Sequence, residues 1–337
     1  MDRGGACDRC GQRQDARRDE VPRTDADSIL SNLTPLALAD FGGRFLTTSR
    51  NLHAGETYPG PTAYVEWFVP VEPKSVSITF VHGGGGQSSE FLRTPDGRPG
   101  WAHAFLRAGY PVYLLDRPGH GRSRWDRRVL GSATEPPSYE QLGPRFFEAA
   151  KSQLWPGAEK HTQWPDGETP VDRFMASQGP MATSLAASQE HVEAIAQGLF
   201  SMVGDTVLLS HSAGAPCGWA LAAIGGPSVK AIVAVEPLGC PGFKHPLGQF
   251  SHGLNAAPLS GEHDPFMRPI AVVTGEASWM REANAQAADY IRGRGNHVDH
   301  IRLEEKGIFG NGHMLMSEYN SDDIAREIID WLAGHVS

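Results

Sequence analysis

Val207-Leu208-Leu209-Ser210-His211-Ser212-Ala213-Gly214-Ala215-Pro216 passes from an apolar, β-type run into Ser-x-Ser-x-Gly, and from there into an alanine-rich helical pattern. A serine at the tip of a tight strand-to-helix turn sits in a strained backbone conformation with its hydroxyl exposed to a ligand. Such a turn brings together the residues two before and two after the serine, so both must be small. Ser210 and Gly214 meet that demand, Ser210 less comfortably than a glycine would. The stretch therefore predicts a strand, a nucleophile turn at Ser212 and a helix. The rest of the chain is read by whether it supplies partners for that serine.

With 337 residues the chain is long enough for one large α/β domain or two small ones. A net charge of -9 argues against electrostatic binding of nucleic acid. Four cysteines, Cys7, Cys10, Cys217 and Cys240, are too few for a disulfide framework at this length. Cys7-x-x-Cys10 has no second Cys/His pair at matching spacing nearby, and reads as a thiol pair in a tail. Cys217 and Cys240 are expected reduced and partly buried. Residues 1–28 are polar, charged and poor in apolar side chains, which predicts a disordered tail. They lack the apolar core of a secretory signal, and no apolar run is long enough to span a bilayer. A cytoplasmic location is expected, with secretion open if an upstream signal has been removed.

Strands are predicted at 42–48, 62–69, 76–81, 111–115, 206–209, 229–235, 270–274 and 297–303. Helices are predicted at 101–108, 183–202, 213–224, 278–292 and 322–333. Alternation of this kind implies a mostly parallel sheet with helices on both faces, an α/β class. From about 124 to 181 the pattern is irregular and rich in prolines, glycines and large aromatics, too long for a simple loop. It is expected to be an inserted cap on a domain that runs over 29–337.

Strand, serine turn and helix together resemble the nucleophile elbow of α/β-hydrolases, Gly-x-Ser-x-Gly, with Ser210 in place of the first glycine. A serine hydroxyl needs a base in hydrogen-bond reach, and the base needs an orienting acid. The order implied by the resemblance is serine, acid, histidine. Of fourteen histidines, His313, in Gly310-Asn311-Gly312-His313-Met314 between the last strand and the last helix, stands where that base belongs. His297 and His300, at or within the last strand, are expected to be structural, and His335 falls at the very end of the chain. Two glutamates compete for the acid. Glu276 follows the strand that carries the acid in most α/β-hydrolases. Glu236 ends the apolar strand before it, at the carboxyl edge of the sheet, where open α/β sheets put their sites. Asp264 fits neither position. For an oxyanion, the N–H of Ala213 and an N–H from His82-Gly83-Gly84-Gly85-Gly86 are the expected donors. Gly84 is the preferred one, with Gly83 and Gly85 as alternatives.

Several further pieces carry a narrower resemblance: His82–Gly86, Thr94–Trp101, Phe105–Tyr110, Asp116–Ser123, Val235-Glu236-Pro237 and Gly312-His313-Met314. With the serine turn they resemble an atypical bacterial serine esterase family within the α/β-hydrolases, from about Phe41 to the C-terminus. That resemblance implies Glu236 rather than Glu276 as the acid. Some relatives carry adjacent cysteines where this chain has Gly84-Gly85, so its oxyanion loop is expected to be more flexible and insensitive to redox.

The function these readings imply is a serine carboxylic-ester hydrolase. The expected catalytic residues are Ser212, Glu236 and His313, the expected oxyanion donors Gly84 and Ala213. The chemistry calls for no metal or organic cofactor. Aromatics in the cap point to an apolar or aromatic ester or a lactone. An acyltransferase or amidase would use the same residues, and a ligand-binding protein on a hydrolase scaffold is the rival from another class. The expected partner is a small ester or lactone, with no nucleic acid and no membrane; a homodimer is left open.

Overall fold

Ser77–Val81 (β5), Thr206–His211 (β7) and Ile270–Thr274 (β9) are buried at every position, and Val229–Val235 (β8) at all but Lys230. Runs of Val, Ile, Leu and Ala without alternation belong in the middle of a sheet covered on both faces. The computed structural model describes residues 35–47, 49–243 and 261–336. In it these strands are the centre of an eight-stranded sheet. Leu38–Thr47 (β1), Thr62–Pro70 (β4), Val112–Asp116 (β6) and Asp299–Arg302 (β10) complete it, in the order β1-β4-β6-β5-β7-β8-β9-β10. Only β4 runs against the rest, pairing antiparallel with both β1 and β6. Arg50–His53 (β2) and Glu56–Pro59 (β3) form a separate hairpin. The expected tail at 1–28, with Cys7 and Cys10, lies outside the described residues.

The helices follow the sequence closely. Trp101–Arg107 (α1) and Ser321–His335 (α10) lie together, with the Trp101 Nε1–H donating to the Ser321 carbonyl at 2.9 Å. The single helix expected at 183–202 is instead two, Leu185–Glu193 and Ala196–Val203. The break at Ala194-Ile195 lets Val192, Ile195, Ala196 and Leu199 all reach zero exposure against the twisted sheet. One straight stripe would not follow that surface. Ala215–Gly225, behind the serine turn, is buried along most of its length, and Arg281–Gly293 covers β9 and β10. No helix among the described residues is long and apolar enough to cross a membrane. Cys217 and Cys240 are both buried free thiols.

Between β6 and β7, residues 124–181 hold four short helices, Arg127–Leu130, Tyr139–Phe146, Ala149–Ser152 and Glu168–Ser177. Phe147, Trp164 and Phe174 pack on one another with ring centroids 5.3–6.2 Å apart. The segment therefore has a small aromatic core of its own. Phe146 joins it through Phe174 and also reaches the main domain.

The turn at Ser212 is possible because of two glycines. A methyl group on Gly214 would stand 2.2 Å from the His82 carbonyl oxygen, a backbone atom that cannot retreat. A methyl group on Gly218 would stand 2.8 Å from Ser210 Oγ and 2.9 Å from Ser210 Cβ. The room that a glycine at 210 would have given is thus supplied from the helix instead. Gly218→Ala is expected to lower the unfolding free energy by about 1–3 kcal/mol through overpacking. Adding Ser210→Gly should recover most of the loss, as read from the urea midpoint of the double variant.

Candidate active site

Ser212 sits at the carboxyl end of β7 with φ of +52°, one of four non-glycine residues in left-handed backbone among those described. Glu236, at the end of β8, is another, with φ of +49°. Strained backbone of this kind persists only where its surroundings hold it, and it gathers at functional sites. His313 lies in the loop between β10 and the last helix. Its Nε2 is 2.8 Å from Ser212 Oγ, and its Nδ1 is 3.3 Å from Glu236 Oε2. Three residues from three separate strand ends are therefore connected through one imidazole, which is fully buried. Phe146 stacks on that ring at 5.4 Å, and Trp279 packs beside it at 5.2 Å.

Glu236 is fully buried and surrounded by donors. The Gly275 N–H donates to its Oε1 at 2.6 Å, while the Ser278 hydroxyl and, at 3.3 Å, the Asn284 amide donate to Oε2. Burial pushes the carboxyl upward, and these hydrogen bonds pull it back. Burial pushes the His313 imidazole down, to about 3, with the charge of Arg145 adding to the effect and Glu318 opposing it.

The loop carrying His313 is tied down at several points. Glu318, also fully buried, accepts from the Gly312 N–H at 2.8 Å, from Asn311 Nδ2 at 2.7 Å and from His161 Nε2 at 3.0 Å. His161 belongs to the 124–181 segment, and its neighbours bind the same loop. The Thr162 N–H donates to the Gly310 carbonyl at 3.0 Å, and the Tyr319 N–H to that of Gln163 at 2.7 Å. From the other side, His211 Nε2 bonds the His313 carbonyl at 3.0 Å.

The competing acid is engaged elsewhere. Glu276 pairs with Lys160 at 2.6 Å and accepts from the Gly310 N–H at 3.2 Å, and no contact joins it to His313. His300 bonds Thr274 Oγ1, His297 faces Asp299, and His335 stacks on Trp331. Gly84 lines the same cavity of about 540 Å³ as Ser212, His313, Leu238 and Trp279. Ala213 is the second residue of the helical turn Ser212–Gly214. Reading the sequence did not single out His211, Ser278, Asn284 or Glu318. Their roles depend on contacts between distant elements, and only His211, inside the Ser-x-Ser motif, carried a local signal.

Three more buried histidines surround the site. His82, His120 and His211 are all held well below the ordinary histidine value, mainly by burial. They refuse protons that the unfolded chain takes up below about 6.5. Glu90 works in the opposite sense, since burial pushes its carboxyl up to about 8. With His313 the histidines outnumber this carboxyl. Stability should therefore fall as pH drops below about 6.5, and more steeply below about 4.5, where Glu90 no longer differs between states. The expected slope is about 1.4 kcal/mol per pH unit for each uncompensated proton, checked by urea unfolding across pH 4–8.

A sheet of this order, with a serine turn after β7 and a histidine after the last strand, defines an α/β-hydrolase architecture. A family model described as alpha/beta hydrolase fold matches residues 76–258. The chain belongs to the α/β-hydrolase family. It is 32% identical over 326 residues to a protein of Fungal sp. (strain ATCC 74256) described as a probable secreted lipase, with 83% of this chain and 88% of that protein covered. Among solved structures it is similar to a novel bacterial esterase, with a TM-score of 0.64 and 24% identity over 90% of this chain and 98% of that one. That likeness concerns the fold.

Proposed function

We propose that the protein is a serine carboxylic-ester hydrolase, and the observation that carries the reading is His313 bridging Ser212 and Glu236 beside an open cavity that both Ser212 and His313 line. Ser212 attacks the acyl carbon while His313 Nε2 takes its proton. The tetrahedral oxyanion is held by the N–H groups of Ala213 and Gly84. Collapse expels the alcohol, which leaves with the proton from His313, and an acyl-enzyme remains. Water, deprotonated by His313, then attacks the acyl-enzyme and releases the acid and Ser212. Glu236 fixes the Nδ1–H tautomer and balances the imidazolium. The relative described as a probable secreted lipase agrees with ester chemistry.

The substrate is proposed to be an apolar or aromatic ester or a lactone. Phe146, Phe174, Trp279, Leu238, Met181 and Leu142 give the cavity its apolar wall. Residues 124–181 act as the cap that supplies half of it.

A fluorophosphonate probe together with a panel of esters tests the reading. Covalent labelling of the wild type is expected, with kcat/KM rising about tenfold or more from acetate to aryl or medium-chain acyl esters. One additional buried methylene is worth about 0.8 kcal/mol. An unlabelled wild type would sink the hydrolase mechanism. Preference for short polar esters would sink the substrate class alone.

A further inference from the structure

We infer that Arg117 is a positioning residue that holds the oxyanion loop in its working orientation; the inference rests on the ester-hydrolase reading above. Arg117 follows β6 and is only 2% exposed, yet among the described residues no carboxylate lies within ion-pair distance of it. Burying a charge in this way costs several kcal/mol unless something compensates. Its partners are neutral. Nη2 donates to the Gly83 carbonyl at 2.6 Å and to the Gly84 carbonyl at 3.0 Å. Nη1 donates to Ser188 Oγ at 2.8 Å. The Arg117 backbone N–H donates to His82 Nε2 at 3.2 Å, and the same ring bonds the Gly83 carbonyl through Nδ1 at 2.9 Å.

Peptide planarity gives these contacts a directional consequence. In a trans peptide the carbonyl of one residue and the N–H of the next point in opposite directions, and no peptide among the described residues is cis. With the carbonyls of Gly83 and Gly84 drawn to the guanidinium, the N–H groups of Gly84 and Gly85 point away from it. The opposite side is the reaction cavity. Gly83–Gly86 line it together with Ser212 and His313, and a methyl group on Gly83 would stand 3.2 Å from Ser212 Cβ. The grip on the Gly83 and Gly84 carbonyls thus presents the N–H groups of Gly84 and Gly85 as donors.

Four consecutive glycines offer little resistance to a peptide flip. A flip at Gly83-Gly84 would aim a carbonyl oxygen at the developing oxyanion. A charged donor that grips two successive carbonyls opposes that flip, and each such bond is worth about 1.5–3 kcal/mol. Withdrawal of charge from the carbonyl also makes the opposite N–H a better donor. Lysine, a point charge with no planar fork, cannot span both carbonyls in the same way.

The test compares wild type with Arg117→Met, Arg117→Lys and Arg117→Ala. Five quantities are read: kcat and KM on the best panel ester, affinity for a trifluoromethyl ketone that forms a tetrahedral adduct, affinity for the unreactive ether analogue of the ester, and melting temperature. Arg117→Met should lose about 10²-fold in kcat, as when one oxyanion donor is removed. KM and ether affinity should stay within threefold, while ketone affinity falls in step with kcat. Arg117→Lys should fall between the two, and added guanidinium should partly restore kcat to Arg117→Ala. A kcat within threefold of wild type in Arg117→Met overturns the inference. So does equal loss of ketone and ether binding, which is what a merely structural staple would give. If Arg117→Met fails to fold, Arg117→Lys decides, since full kcat and full ketone affinity there overturn it equally. If the wild type itself resists the fluorophosphonate, it is the hydrolase reading that has failed. If the wild type reacts and the variants match it, only the role of Arg117 has.

Discussion

Ser212→Ala is expected to abolish fluorophosphonate labelling and to lower ester turnover by roughly 10⁶-fold, a residue remaining from binding and oxyanion stabilisation. Ser212 Oγ is the hydroxyl in hydrogen-bond contact with His313 Nε2, at 2.8 Å, and it opens on the cavity. The fold should not suffer. Ser212 already adopts φ of +52° with a Cβ, and alanine meets the same strain. Ser212→Gly separates strain from chemistry. It should be as inactive as the alanine variant yet more stable than it by about 1 kcal/mol, the approximate cost of left-handed backbone for a residue with a Cβ. Thermal unfolding of the two variants side by side reads that difference. Turnover within tenfold of wild type in Ser212→Ala would place the nucleophile elsewhere.

Glu236→Gln is expected to cost about 10⁴-fold in kcat, whereas Glu276→Gln should cost little beyond slight loosening of the cap. The size follows from hydrogen-bond polarity. Every group facing the Glu236 oxygens is a donor: the Gly275 N–H, the Ser278 hydroxyl, the Asn284 amide and His313 Nδ1. A glutamine must turn its NH₂ toward one side or the other. Turned to Gly275, it sets two donors 2.6 Å apart. Turned to His313, it forces the tautomer in which Nε2 carries the proton and cannot accept one from Ser212. A wrong tautomer of this kind is the known route to a loss of about four orders of magnitude. Single-turnover kinetics should place the loss in acylation. A large loss at Glu276 with little at Glu236 would reverse the assignment of the acid.

Much of this fold was legible because the central strands leave no choice. Val229–Val235 and Ile270–Thr274 have no polar face, so they must lie between helices, and the sheet follows. The hairpin Arg50–Pro59 was not legible. Its turn residues Ala54 and Gly55 take φ of +51° and +84°, and alanine gives no sign of left-handed backbone. The split of the 183–202 helix was hidden for a related reason, since the local pattern suits one helix and only the curvature of the sheet divides it. At the site, Ser212 and His313 stood out by position along the chain. Glu236 was separable from Glu276 by resemblance, and the structure shows how differently the two are engaged. Arg117 could not be found from spacing, because its partners are carbonyls, which every residue has. Ser210 looked like a defect in the motif until Gly218, eight residues on, was seen to make the room.

The stitching of residues 160–163 to the loop around His313 bears on how this scaffold can be re-engineered. Exchanging all of 124–181 for the corresponding piece of another hydrolase would import a new substrate wall. It would also cut His161 from Glu318 and Thr162 from Gly310, and with them the register of the imidazole. The transplantable unit is smaller. A graft confined to the first three helices of the segment, 127–152, that keeps Phe146 on the His313 ring changes the wall that Leu142 presents and leaves the seam with the histidine loop uncut. Selectivity and turnover are therefore separable along a line that runs through residues 124–181, between 152 and 160.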